Sequence, residues 1–178
     1  MSNELPVRKN IRLKEYVYSA AGYYFVTICI KDKHEMLGRI IVGDAPLRVP
    51  CCELSEYGVF ADAQIQKINH IYPCVSVDKY VIMPNHIHMI AVVNDRVNSE
   101  ESGTNNKESG TRGGASPTKA VIPQIVQSMK SMTTKQFGFS LWQRSFHDHI
   151  IRDEADYQRI WQYIDENPAR WAEDEYFI

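Results

Sequence analysis

The chain has 178 residues, of which 44% are hydrophobic and 24% are charged, and its formal net charge is −2. This composition is typical of one compact globular domain and excludes a disordered or fibrous chain, and the length is sufficient to bury a core without a disulfide or a structural metal. No apolar run approaches the ~18 residues of a membrane span, and the polar N-terminus lacks a hydrophobic signal region. We therefore expect a cytoplasmic protein with no membrane partner.

The charges are unevenly distributed along the chain, and the spacing of the cysteines bears on their redox state. Residues 118–145 contain four Lys or Arg and no acid, whereas residues 153–178 contain eight acids and two arginines. A basic surface on one part of the domain is therefore compatible with a nucleic-acid partner, despite the negative net charge. The cysteines show no CxxC spacing, so we expect reduced thiols.

The first half of the chain predicts three strands and a helix. Residues 23–30 are β-branched and aromatic, which predicts a buried strand, and residues 38–53 hold a possible short hairpin or extended arm. Apolar residues recur at helical spacing over residues 54–70, which predicts the first helix. Residues 75–83 and 86–93 are both strand-like, and the Pro-Asn pair between them favours a tight antiparallel hairpin.

The second half begins with a Ser/Gly-rich segment at about 94–118, which contains the tetrapeptide ESGT twice and predicts a flexible loop. Periodicity predicts a second helix over residues 120–137, stopped by Gly138, and then a strand over residues 146–151. Asp153 is placed to cap a third helix, which ends at the Asn-Pro pair at 167–168. The apolar stripe predicted for this helix consists of Tyr157, Ile160, Trp161 and Ile164.

The order strand, helix, strand, strand, helix, strand predicts an α+β fold of the ferredoxin-like, split βαβ kind. We expect an antiparallel sheet with helices on one face and an additional C-terminal helix on or beside the sheet. The whole chain, residues 1–178, is predicted to form a single domain.

His86 and His88 carry the strongest local signal. Side chains two residues apart on a strand point to the same face, so the two imidazoles come together, and such a pair suits a divalent metal. The residues that alternate with them form an apolar row on the other face. For an isolated HxH, two half-exposed strand histidines without a ligand would be the more common explanation.

Tyr163 carries the second signal, because it lies about 120° from the apolar stripe of the last helix at about 100° per residue. Asn167 follows four residues later on the same side, so a phenol and an amide project together. An amide oxygen can bind Mg²⁺ or Mn²⁺ beside two imidazoles. Taken singly, a tyrosine off the stripe is usually a packing or surface residue, and an Asn before Pro is usually a helix terminator.

Two blocks of sequence, VIMPNHIHMI and SFHDHIIRDEADYQRIWQYIDENPARW, resemble the REP-associated tyrosine transposases, which are relatives of the single-tyrosine HUH transposases. The resemblance extends from about residue 23 to residue 171, with the Ser/Gly-rich segment as an unaligned insertion. It implies a ferredoxin-like fold, with His86 and His88 as the metal-binding histidines and Tyr163 as the nucleophile. Asn167 stands where the family's helix supplies a further polar ligand, a position that is Gln in many mobile-element members.

The resemblance also implies metal-dependent nicking and strand transfer on single-stranded DNA, with hairpin-forming or palindromic repeats as the substrate. The intermediate would be a 5′-phosphotyrosine with a free 3′-hydroxyl, and the cofactor would be Mg²⁺ or Mn²⁺. A phenol with a pKa of about 10 needs local positive charge to become a competent nucleophile. The family includes arrangements in which the tyrosine completes its own subunit's site or a partner's, so both a monomer and a homodimer are consistent with the sequence.

Five further side chains are candidates for DNA binding. For the lysines, a solvated helix face without a ligand is the more common role. For His149, a structural hydrogen bond is an alternative to a phosphate contact. The candidates are Lys119, Lys130, Lys135, Arg144 and His149.

Two other functions remain open from the sequence. One is a metal-dependent hydrolase in which metal-bound water attacks the phosphodiester and Tyr163 takes no part. The other is a non-catalytic ferredoxin-like module that binds nucleic acid. Protein-linked DNA would distinguish the tyrosine mechanism from both.

Overall fold

The computed structural model describes residues 21–41, 50–94 and 120–177. Its elements are β1 (Gly22–Cys29), β2 (Gly38–Ile41), β3 (Cys51–Leu54), α1 (Glu56–Gln66), α2 (Ile68–Ile71), β4 (Val75–Ile82), β5 (His86–Val93), α3 (Val121–Phe137), β6 (His147–Ile151) and α4 (Glu154–Glu166). Single turns of 3-10 helix lie at Lys31–Lys33 and Trp171–Glu173. Of the loop predicted at 94–118, only Asn94 belongs to the described residues.

The main sheet has four strands in the order β4-β5-β1-β6. Each neighbouring pair is antiparallel, and β1 is central, with β5 on one side and β6 on the other. The order of the elements and of the strands is that of the ferredoxin-like, split βαβ arrangement, which confirms the predicted α+β class. The possible hairpin ahead of α1 is present as the separate pair β2-β3.

The two faces of the main sheet pack against different helices. Alternate side chains of β1 and β5 meet α1 and α3 in the larger core, which includes Tyr24, Val26, Ile87 and Met89. The opposite face packs against α4, where Ile90 of β5 lies with Ile160 and Ile164. His86 and His88 have the same parity along β5 as Ile90, so the sheet turns both imidazoles toward the α4 face.

Local sequence explains where α3 and α4 begin and end. The Asp153 side chain accepts a hydrogen bond from the backbone N–H of Asp156 at 2.8 Å, which satisfies one of the free donors at the start of α4. The helix ends at Asn167, as predicted. Gly138 follows α3 with φ of 78°, a left-handed conformation that glycine adopts without steric cost.

Two predictions about helices are wrong in detail. The first helix does not run from residue 54 to 70, because Leu54 ends β3 and the Ser55 hydroxyl accepts from Gly58 N to start α1 one residue later. Lys67 then separates α1 from α2. Trp161 does not belong to the buried stripe of α4, since it is 37% exposed and the Lys79 ammonium lies 3.6 Å from its ring centroid.

The cysteines Cys29, Cys51, Cys52 and Cys74 are free thiols, as predicted. Among the helices of the described ranges, none combines the length and the apolar character needed to cross a membrane.

Candidate active site

The two histidines of β5 are buried side by side on the α4 face of the sheet. His86 is 0% exposed and His88 is 1% exposed, and their ring centroids lie 4.3 Å apart. The ring of Tyr176, from the segment after α4, covers His86 at a centroid distance of 4.5 Å. Half-exposed histidines would have been the more common arrangement for an isolated HxH, but the fold closes over this pair.

Asn85, in the turn between β4 and β5, determines which nitrogen of the neutral His86 ring carries the hydrogen. Its side-chain N–H groups donate to the backbone carbonyls of Lys33 at 3.1 Å and Tyr176 at 2.8 Å. The Asn85 Oδ1 atom therefore faces His86 Nδ1, at 2.9 Å, and accepts a hydrogen bond from the Nδ1–H group. This leaves the lone pair on His86 Nε2, a buried atom that has no hydrogen-bond partner among the described residues.

The His88 ring is held from both sides. Its Nδ1 lies 2.8 Å from the hydroxyl of Thr27, which is the polar residue opposite it on β1. Its Nε2 lies 3.2 Å from the Tyr163 hydroxyl of α4. The ring of Phe25 stacks on His88 at a centroid distance of 5.1 Å, so rotation of the imidazole would disturb several contacts at once.

Both histidines are neutral at physiological pH. Burial lowers the pKa of His86 to about 4, an effect that the nearby Asp174 carboxylate opposes. Burial, together with its neighbour His86, holds the pKa of His88 well below its usual value. Neutral imidazole is the form that binds a metal, so neither ring has to lose an imidazolium proton at neutral pH.

Tyr163 and Asn167 converge on one carboxylate, that of Asp174. The Tyr163 hydroxyl donates to Asp174 Oδ2 at 3.2 Å, and Asn167 Nδ2 donates to the same oxygen at 2.8 Å. The two side chains thus project together from α4, as their spacing predicts. Burial, and then the charge of Asp174, raise the pKa of Tyr163 above its usual value, so the phenol stays protonated unless positive charge is added.

The residues around the histidines fit a divalent cation. One ligand atom from each of His86, His88 and Asp174 can be chosen so that all three lie within 4.8 Å of one another. Imidazole nitrogen with carboxylate oxygen is a common donor set for first-row divalent metals. Two buried atoms at this site, His86 Nε2 and Asn167 Oδ1, have no hydrogen-bond partner in the described part of the chain. An adjoining cavity of about 380 Å³ is lined by several acids as well as Tyr163.

The predicted DNA-binding side chains do not gather at this site. Lys119 lies outside the described residues. The Lys130 ammonium donates to the backbone carbonyls of Gln143 and Ser145, at 2.8 Å each. Lys135 and Arg144 are exposed. His149 lies on the same face of the sheet as His86 and His88 but pairs with Asp156 of α4 at 2.7 Å, which is a structural hydrogen bond.

Several residues of the site are absent from the sequence-based predictions, among them Phe25, Thr27, Asp174 and Tyr176. Thr27 could have been noticed as a polar residue inside an otherwise apolar and aromatic strand. Asp174 had no comparable signal, because it is one of eight acids in residues 153–178 and lies beyond the last predicted helix. Only the path of the chain after α4 brings its carboxylate back to the histidines.

Sequence comparison gives a relative that spans almost the whole chain. No family model matches the chain. It is 34% identical over 179 aligned residues to an uncharacterized protein of Haemophilus influenzae, an alignment that covers 96% of this chain and 93% of that protein.

Two solved structures are similar to the chain. A REP-associated tyrosine transposase bound to a REP hairpin matches with a TM-score of 0.56 and 19% identity over 89% of this chain and 74% of the other. A putative transposase from Deinococcus radiodurans R1 matches with a TM-score of 0.45 and 16% identity over 87% of this chain and 95% of the other. The chain therefore belongs to the same family as the Haemophilus influenzae protein, and its fold is that of the REP-associated tyrosine transposase.

Proposed function

We propose that this protein nicks single-stranded DNA and rejoins it through a covalent 5′-phosphotyrosine on Tyr163, with a divalent metal held at the histidine pair. The observation that carries the proposal is the contact between the Tyr163 hydroxyl and His88 Nε2, at 3.2 Å. Through this contact the phenol of Tyr163, on α4, lies directly beside a set of side chains suited to binding a cation. The fold of a transposase that binds a DNA hairpin supports DNA as the substrate.

Each side chain has a defined part in the reaction. The phenol oxygen of Tyr163 attacks phosphorus, and its proton passes to the Asp174 carboxylate, to which the hydroxyl already donates. The bond between phosphorus and the 3′ oxygen breaks, and that oxygen leaves and takes up the proton that Asp174 received, which gives a 3′-hydroxyl and restores the Asp174 carboxylate. The phosphotyrosine is itself a phosphodiester, so the energy of the broken bond is conserved. A second 3′-hydroxyl can therefore attack this phosphorus, release Tyr163 and join a new strand.

His86 and His88 would hold the metal, with Asp174 as the third ligand and the Asn167 amide orienting the carboxylate. When bound, Mg²⁺ or Mn²⁺ supplies positive charge that neutralises a phosphate oxygen and favours the ionised phenol. Thr27 and Asn85 keep the two rings in the orientation that the metal needs, which is the usual task of residues around metal ligands.

Hairpin-forming repeats are the substrate that we propose, because the transposase of similar fold is bound to a REP hairpin. The proposal places the reaction in the transposase class and leaves the tyrosine free to act in its own subunit. The Tyr163 hydroxyl already contacts His88 of the same chain, so a monomer contains the complete set of residues named above.

The test is a denaturing gel of the protein mixed with labelled single-stranded DNA from palindromes that flank its gene, with Mg²⁺, with Mn²⁺ or with a chelator. We expect a metal-dependent protein–DNA adduct that is lost in Tyr163→Phe. Tyr157→Phe is the matched control, since Tyr157 lies on the same helix but donates to Asp78. Cleavage without an adduct would contradict the proposal and support a hydrolase, and an adduct that persists in Tyr163→Phe would exclude Tyr163 as the nucleophile.

A further inference from the structure

A second cavity, of about 350 Å³, lies at the end of β1. Trp142 and Gln143 line it, and their segment runs along the end of β1: Gln143 N donates to Cys29 O at 2.9 Å, and Lys31 N donates to Leu141 O at 2.9 Å. On its other side, Cys29 pairs with His86 of β5. The cavity is thus two strand spacings, about 10 Å, from the strand that carries the histidines.

The lining of this cavity is basic. It contains three cationic side chains and no carboxylate, and its members are Lys31, Lys130, Ser140, Trp142, Gln143 and Arg144. None of the ion pairs formed within the described ranges involves these three cations. Positive charge gathered in a concave surface without a neighbouring acid favours the binding of an anion.

Lys130 differs from the other two cations in being held in place. Its ammonium donates to the carbonyls of Gln143 and Ser145, and burial lowers its pKa to about 8. An anion in the cavity would favour its charged form. Lys31 and Arg144 are exposed, so both can turn toward a bound group.

The cavity beside Tyr163 has the opposite charge. Its lining includes Glu166, Glu173, Asp174 and Glu175 against a single arginine. A DNA backbone would be repelled from that side of the site except where a metal neutralises it. The basic cavity lies across β1 from the histidine strand, because residues 141–143 and β5 bond to opposite edges of β1.

We propose that the basic cavity binds a backbone phosphodiester of the single-stranded substrate, a few nucleotides from the phosphate that Tyr163 attacks. Arg144 and Lys31 would donate charge-assisted hydrogen bonds to the phosphate oxygens, with the Ser140 hydroxyl as a further donor. This inference rests on the proposed function, because it assumes that the strand passes the histidine pair. It assigns a part in DNA binding to Lys31 and Ser140, which no sequence pattern indicated.

The test is the affinity for a labelled single-stranded oligonucleotide that carries a palindrome flanking the gene, measured by fluorescence anisotropy over a range of KCl concentrations. All proteins carry Tyr163→Phe and are measured with a chelator, so no covalent product forms. The double variant Lys31→Ala/Arg144→Ala is compared with Lys67→Ala/Arg39→Ala, which removes one exposed lysine and one exposed arginine outside the cavity. Lys130 is left intact because its ammonium satisfies two backbone carbonyls.

We expect the cavity variant to bind about tenfold more weakly at low salt and its salt slope to fall by about 0.7, the value for one phosphate contact on a single strand. The control pair should change affinity by less than about twofold. Equal weakening in both double variants, or unchanged binding in the cavity variant, would overturn the inference. Thermal unfolding of each variant shows whether it is folded, and a charge-reversed Arg144→Glu variant must then bind more weakly than Lys67→Glu. Because no cleavage is measured, these results are independent of whether the unmodified protein forms an adduct.

Discussion

Acid should destabilise the metal-free protein through its two buried histidines. The pKa of His86 is about 4 in the folded chain, where burial disfavours the charged ring, and about 6.5 in an unfolded chain. The unfolded state therefore binds more protons below pH 6.5, so stability is present at neutral pH and is lost as the pH falls from about 6.5 toward 4. At pH 5 the difference is about 1.5 units, or about 2 kcal/mol for His86, and His88 acts in the same direction.

The assay is urea unfolding at pH 7.5 and at pH 5, with a chelator present and tryptophan fluorescence as the signal. In His86→Gln the loss of unfolding free energy between the two pH values should be smaller than in the unmodified protein by about 2 kcal/mol. The control His70→Gln removes an exposed histidine and should leave the pH-dependent loss unchanged. If His86→Gln loses as much stability on acidification as the unmodified protein, the argument that His86 is buried and neutral is refuted.

Three further substitutions separate metal-site geometry from general stability. Thr27→Val should weaken Mn²⁺ binding in calorimetry by about 10- to 100-fold, because His88 loses its hydroxyl partner, whereas Thr133→Val, a buried threonine bonded within its own helix, should not. Asp153→Ala should lower the free energy of unfolding by about 1 kcal/mol and reduce adduct formation, because Asp153 caps the helix that carries Tyr163. Ser55→Ala, at the cap of α1, should lower stability without reducing adduct formation, and equal adduct yields in the two variants would contradict this role of α4. Gly138→Ala should cost about 1 kcal/mol, since alanine is strained at φ of 78°; an unchanged melting temperature would count against that reading of the turn.

The fold could be predicted from sequence because its signals are local. Alternation along β5, the Pro-Asn turn before it and the Asp153 cap of α4 each depend on residues that are close in the chain. The side-by-side placement of His86 and His88 follows from strand geometry alone. The contact between Tyr163 and His88 depends instead on α4 crossing the sheet, which the sequence suggested only through its resemblance to a known family.

The parts that sequence could not supply are set by tertiary structure. Asp174 meets the histidines because the chain turns back after Asn167, and a single acid among many carries no sign of that path. Trp161 fits the apolar spacing of α4 but is left outside the core, where Lys79 covers its ring. Burial of the histidine pair likewise depends on Tyr176, which is distant from β5 in sequence.

The most direct test of the central claim is to map the site of covalent attachment by mass spectrometry. Trypsin places the three tyrosines of the C-terminal region on separate peptides: residues 153–159 contain Tyr157, residues 160–170 contain Tyr163 and residues 171–178 contain Tyr176. After reaction with single-stranded DNA and Mn²⁺, followed by nuclease and trypsin, the account predicts a nucleotide on the peptide 160–170 at Tyr163. A nucleotide on either of the other peptides, or DNA cleaved with no modified peptide, would contradict it.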